Sequence, residues 1–303
     1  MNHSFPQLAE PMRAHEAFLQ ADDGVELFVR RFEPLARNAE RSLLLVHGMS
    51  EHGQCYDHVV PAAVARGWNV IIPDLRGHGR SGGEHIHVND FGEYVADLGR
   101  VYEWAGLAGE TTVLVGHSMG GLISARFVQQ NADRACALAL MSPLLGIRLR
   151  ISRLTIALAR VLAVVRPLSR FQKKIDPAYS SRNPDALSRG AQDPLIRQSL
   201  TAAWYFAMRS ALRAAWASAE QIACPLLVLQ GGSDLIVDPD APRAWIERVA
   251  SSDKTLRIFP DHFHELLNEV DWPNTLADLL DWCELRVRAC DGGQASIPLR
   301  EIA

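Results

Sequence analysis

Thr111-Thr112-Val113-Leu114-Val115-Gly116-His117-Ser118-Met119-Gly120-Gly121 decides how this chain folds. A short β-branched and leucine-containing run, the mark of a buried strand, leads directly into a Gly-x-Ser-x-Gly motif. From Met119 to Gln130 the pattern becomes helical. A strand that turns sharply into a helix crowds its neighbours, and small residues on either side of Ser118 let the backbone make that turn. The serine hydroxyl then stands above the sheet edge, at a helix N-terminus whose dipole favours a developing negative charge.

Working outward, apolar runs of strand length recur at residues 42–47, 68–72, 137–141 and 226–229, and residues 255–259 complete the set of strands. Such runs suit parallel strands covered on both faces. An antiparallel opening pair is expected over 15–20 and 25–32, turned by Asp22-Asp23-Gly24. Helical patterns lie between, over 57–66, 88–105, 119–130, 240–249 and 265–288. This alternation predicts an α/β fold with a mostly parallel central sheet and helices on both faces.

One interval breaks the rhythm. Residues 144–222 hold no convincing strand but an Arg-studded apolar helix over 147–165, a connector over 175–194 and a helix over 196–219. A long insertion between core strands is commonly a lid or a pocket-shaping subdomain. The expected organisation is therefore a core of 1–143 and 223–290, a helical cap of 144–222, and a loose tail of 291–303.

Bulk properties bound the function. The chain has 303 residues, 48% apolar and 22% charged, with a formal net charge of −4, which leaves no basic face for nucleic acid. Residues 1–20 carry no apolar run and are interrupted by Pro6 and Pro11, so no secretory signal is expected. The most apolar later stretch, 154–165, is broken by Arg160 and is too short to span a bilayer. Five cysteines (Cys55, Cys136, Cys224, Cys283, Cys290) without a C-x-x-C pair suit reduced thiols in a cytoplasm.

A serine nucleophile needs a base, and the base an orienting carboxylate. In this type of fold the chain order is Ser, then Asp or Glu, then His. The loop after 226–229 supplies Gln230-Gly231-Gly232-Ser233-Asp234, with Asp238 four residues on. Asp234 lies nearer its strand, whereas Asp238 precedes Pro239 and suits a helix cap. The loop after 255–259 supplies His262 and His264. All three loops open at one edge of the sheet, where ligands collect. Two backbone amides must face the oxyanion: that of Met119, directly after the serine, and that of Met49, after His47-Gly48.

With these residues in place, the chain resembles the monoacylglycerol lipase and lysophospholipase branch of the α/β-hydrolases, a group also filed with serine aminopeptidases. The resemblance covers roughly residues 18–285. It rests on His47-Gly48-Met49-Ser50-Glu51-His52, on Pro73-Asp74-Leu75-Arg76-Gly77-His78-Gly79-Arg80-Ser81, and on Gly116–Gly121. It rests further on Asp193-Pro194-Leu195, on Gln230-Gly231-Gly232-Ser233-Asp234, and on Phe263-His264-Glu265-Leu266-Leu267-Asn268-Glu269. The E-H pair and the D-P-L are the more particular to this branch. The 73–81 loop is common across the superfamily.

The resemblance implies the α/β-hydrolase fold and a catalytic triad of Ser118, Asp234 and His264. It implies a lipid ester as substrate and an acyl-enzyme on Ser118, with no metal or organic cofactor. His47, Gly48, Glu51, His52 and His117 would support the substrate or the oxyanion loop. Glu51 and His52 suit either task. The cap helix carries Leu149, Leu154, Leu158 and Val165 among Arg148, Arg150, Arg153 and Arg160. That mixture suits peripheral contact with an anionic membrane, or packing on a neighbouring helix. Met49-Ser50 is bulkier than the small residues common at this loop in the lipases. A peptidase using Glu51 to hold an ammonium, a small-ester carboxylesterase, and a non-catalytic binding protein of the same fold are the rivals. Epoxide opening and dehalogenation use an aspartate where this chain has Ser118.

Overall fold

In the computed structural model the described residues are 11–35, 39–148, 152–172 and 176–290. The chain opens with β1 (Met12–Gln20) and β2 (Glu26–Pro34), an antiparallel pair. Then come β3 (Arg41–Val46), α1 (Val60–Ala65), β4 (Trp68–Pro73) and α2 (Gly92–Trp104). The central unit is β5 (Thr112–His117), α3 (Met119–Gln130) and β6 (Ala137–Met141). The insertion holds α4 (Arg153–Val165), β7 (Arg170–Gln172), α5 (Pro184–Gln192), β8 (Ser199–Thr201) and α6 (Ala202–Ala217). The chain closes with β9 (Leu226–Gly231), α7 (Ala241–Ile246), β10 (Lys254–Phe259) and α8 (Trp272–Cys290).

Among the described residues, eight strands form one sheet in the order β1-β2-β4-β3-β5-β6-β9-β10. From β4 to β10 every neighbouring pair is parallel, and the antiparallel hairpin closes one edge. The apolar runs follow from this placement. Alternate side chains point to opposite faces of a strand. Leu44 and Val46 of β3 join the core beneath α2, α3 and α6, while Leu43 and Leu45 join the core beneath α1 and α8. Leu226 and Val228 of β9 divide from Leu227 and Leu229 in the same way.

The structure differs from the sequence expectation at three helices. The expected 147–165 helix starts at Arg153, because Ser152 is extended and its side chain accepts from Thr155 N at 3.1 Å as an N-cap. Ile147 instead bridges Val237. Residues 149–151, with Leu149 and Arg150, lie outside the described residues. The expected 196–219 helix gives up its first turn to β8, which pairs with β7, and Thr201 caps α6 by accepting from Trp204 N at 3.2 Å. So the insertion does contain a small two-stranded sheet. The expected 265–288 helix is divided: residues 266–268 make one 3-10 turn, and α8 starts at Trp272. Pro273 lacks an N–H and fits only a first turn, which forbids continuation through it. The expected tail of 291–303 lies outside the described residues.

Candidate active site

Ser118 sits between β5 and α3 with φ 52° and ψ −115°, a conformation that side-chain-bearing residues rarely adopt. The strain is held from both sides. Ser118 N donates to Met141 O at 3.0 Å, and Ser118 O accepts from Leu144 N at 3.0 Å. The flanking glycines are required by contact. A Cβ on Gly116 would stand 2.5 Å from Gly120 O, and one on Gly120 would stand 2.5 Å from His47 O and overlap Val46 O.

Around this turn the two chosen partners converge. Ser118 Oγ lies 2.8 Å from His264 Nε2, and His264 Nδ1 lies 2.7 Å from Asp234 Oδ2. Asp234 is fully buried, and its other oxygen accepts from the amides of Ile236 (2.8 Å) and Val237 (3.0 Å). Burial works against its charge, but His264 and these amides hold its carboxyl below the ordinary aspartate value. The rejected candidates are occupied elsewhere. Asp238 Oδ1 accepts from Asp240 N at 3.1 Å in the turn before α7. His262 stacks on Phe259 and lies 2.9 Å from Asp271.

The supporting residues form a braced loop. Neutral His47 donates from Nδ1 to Gly48 O (2.7 Å) and accepts at Nε2 from Leu75 N (2.9 Å), pinning the end of β3 to the 73–81 loop. Burial keeps its pKa low. Glu51 Oε2 accepts from Gly48 N (2.8 Å), Tyr56 Oη (2.7 Å) and His117 Nδ1 (3.2 Å). His117 donates its other N–H to His264 O at 3.2 Å. Burial opposes the His117 charge, but the Glu51 carboxylate overrides it and pushes the imidazole up to about 9. Burial likewise opposes the Glu51 charge, yet His117, the Gly48 amide and the Tyr56 hydroxyl hold Glu51 well below the usual carboxylate range. One buried ion pair thus joins the oxyanion loop, the serine turn and the histidine loop.

His52 Nε2 lies 2.8 Å from Asp193 Oδ2, which links the two sequence motifs most particular to the resemblance. Glu51 and His52 are thus each bonded to a residue of another loop, His117 and Asp193 respectively. Met119 is the first residue of α3, so its amide has no intrahelical acceptor by position. Met49 precedes Ser50, itself strained at φ 67°. A cavity of about 650 Å³ opens over Ser118, walled by Met49, Leu187, Ile196, Ile236 and Trp272. Two residues at the site are not among those the sequence points to. Tyr56 buttresses Glu51, and Glu265 lines the cavity directly after His264. The sequence signal for Glu265 is its adjacency to His264 within the Phe263–Glu269 motif.

The model of the family described as serine aminopeptidase, S33, matches residues 37–271. The chain belongs to that serine aminopeptidase S33 family. Among relatives of this S33 chain, the monoacylglycerol lipase of Mycolicibacterium smegmatis is 30% identical, over 79% of this chain and 86% of that protein. Phospholipase YtpA of Bacillus subtilis is 28% identical, over 75% of this chain and 88% of that protein. The crystal structure of Paleococcus ferrophilus monoacylglycerol lipase superposes with a TM-score of 0.79 at 28% identity, covering 86% of this chain and 99% of that one. This S33 member therefore has the α/β-hydrolase fold that its sequence implied.

Proposed function

We propose that the chain is a carboxylic ester hydrolase that cleaves monoacylglycerols or lysophospholipids through an acyl-enzyme on Ser118. The observation that carries this reading is the unbroken line Asp234–His264–Ser118, at 2.7 and 2.8 Å, at the floor of a large cavity. His264 takes the Ser118 proton as Oγ attacks the ester carbonyl, and Asp234 stabilises the imidazolium that forms. The Met49 and Met119 amides receive the oxyanion. His264 then protonates the departing alcohol, and water repeats the sequence on the acyl-serine. The two named relatives, a monoacylglycerol lipase and a phospholipase, support this substrate class. The peptidase alternative loses its ammonium ligand, since Glu51 is committed to His117.

Two measurements test the reading. Fatty-acid release from long-chain monoacylglycerol and from lysophosphatidyl lipids, run in parallel, is expected from at least one. Hydrolysis of short-chain esters only would remove the lipid. Asp234→Asn is expected to lower kcat about 10⁴-fold by favouring the wrong His264 tautomer, with the fold kept. A loss of less than tenfold would show that Asp234 is not the orienting acid.

Residues 144–222 act as a cap whose α4 rests on a membrane surface. Ile156, Ala159 and Leu162 are half-buried on the side toward α6. Leu154, Leu158, Val161 and Val165, spaced to form a single stripe, are exposed, Leu154 at 81% and Val165 at 68%. No described helix is long and apolar enough to cross a membrane, so contact would be peripheral. Leu154→Glu/Leu158→Glu protein is expected to lose co-sedimentation with anionic vesicles while cleaving a soluble short-chain ester at the normal rate. Unchanged vesicle binding would sink the membrane role of α4.

A further inference from the structure

The catalytic line uses His264 and leaves its neighbour Glu265 without a task. Glu265 lines the same cavity as Ser118, and its main chain is fixed to the cap by Glu265 N donating to Ser180 O at 2.7 Å. One carboxyl oxygen is held, since Asn268 Nδ2 donates to Oε2 at 3.0 Å. No hydrogen bond among the described residues reaches Oε1, and that atom is not sealed from the cavity. A carboxyl anchored at one oxygen and open at the other is positioned to take up a small polar group.

Its surroundings say which group. Gln54, His58, Asn268 and Trp272 also line this cavity, and the Trp272 ring meets His58 edge-on at 4.6 Å. His58 donates from Nε2 to Leu267 O at 2.6 Å, so Nδ1 is an acceptor. Burial and the neighbouring Glu51 carboxylate push the Glu265 carboxyl up, toward the neutral acid. A neutral carboxyl both donates and accepts, as a hydroxyl does. The apolar wall made by Leu187, Ile196 and Ile236 suits the acyl chain instead.

We propose that Glu265 is the residue that recognises the leaving alcohol, its free carboxyl oxygen bonding a hydroxyl that the alcohol carries beside the ester. The proposal rests on the ester-hydrolase reading above and deepens it by naming the residue that reads the alcohol. A site built to bond a hydroxyl rejects analogues that lack one, because its polar group is then left unpaired. The acyl half of the reaction is indifferent to Glu265, so the effect follows the alcohol and not the chain length.

The test is a series of oleate esters of glycerol, 1,2-propanediol and 1-propanol, with kcat/KM measured for each. For the wild-type protein the value is expected to fall with each hydroxyl removed, about tenfold across the series. For Glu265→Leu the series is expected to be flat, and Glu265→Gln, which keeps a donor and an acceptor, is expected to restore most of the slope. Melting curves exclude loss of fold, and should Glu265→Leu not fold, the Glu265→Gln slope and the wild-type slope still decide. A Glu265→Leu variant that weakens all three esters in step, with the wild-type slope intact, overturns the proposal, because Glu265 then acts through the His264 loop. A wild-type series that is flat overturns it too. No oleate ester cleaved while short-chain esters are would fail the lipid reading itself, an outcome separate from either.

Discussion

Ser118→Ala protein is expected to retain its fold and to lose close to 10⁶ in kcat on every ester, as removal of the serine does in a comparable triad. The size follows from the geometry. His264 Nε2 has Ser118 Oγ at 2.8 Å as its partner in this line, so its general-base capacity has nothing to activate once the hydroxyl is gone. The fold should survive because the strained backbone at Ser118 is imposed by Met141, Leu144 and the two glycines, none of which the substitution touches. The hydrogen bond lost is worth only about 1 kcal/mol, a shift of a few degrees at most in melting temperature. Steady-state hydrolysis and circular dichroism measure the two halves. Residual turnover above a thousandth of the wild-type rate would mean that another nucleophile serves.

The second large effect concerns stability. Glu51→Gln is expected to cost about 3–5 kcal/mol, because it removes one partner of a buried ion pair and leaves the other uncompensated. The wild-type pH dependence follows from the same pair. His117 has a pKa raised from 6.5 to about 9 in the fold, so its contribution is fully present below pH 6.5 and is lost as pH rises through 9. Glu51 is depressed from 4.5, so its contribution is present above pH 4.5 and is lost as acid protonates the folded carboxylate. Wild-type stability should therefore decline between pH 6.5 and 9, and the Glu51→Gln protein should lack that decline, because burial then strips His117 of its proton. Urea unfolding at pH 6 and pH 9.5 checks this. Parallel curves for the two proteins would show that the pair is not charged. Activity should fall as well, since Gly48 N loses its carboxylate anchor.

The strands were legible because burial on both faces writes an unbroken apolar run, and β3, β5 and β9 are of that kind. Ser118 and Asp234 were legible because each follows such a run, whereas His264 follows the part-exposed edge strand β10 and was legible from the chain order of the motifs. The boundary errors fall where a local side chain wins over periodicity, as Ser152 and Thr201 do by capping and Pro273 by lacking an N–H. What sequence could not give is pairing at a distance. Glu51 and His117 are 66 residues apart, and His52 and Asp193 are 141 apart. Each of those four belongs to a sequence motif, but only folding shows that they complete one another.

The insertion is unequal in its two halves. Its first half, from α4 to α5, buries no helical side chain, whereas α6 contributes Trp204, Ala207, Met208, Ala211 and Ala215 to the main core. Gln129 and Trp245 also donate to Ala215 O, at 2.9 and 3.0 Å. For anyone building chimeras, the graftable module therefore ends before Ala202. Sequence drift can remodel α4 and α5 to suit new substrates so long as Ser180, Ser181, Arg182 and Asp193 keep their bonds to the core, while α6 must change in step with the scaffold it helps to fill.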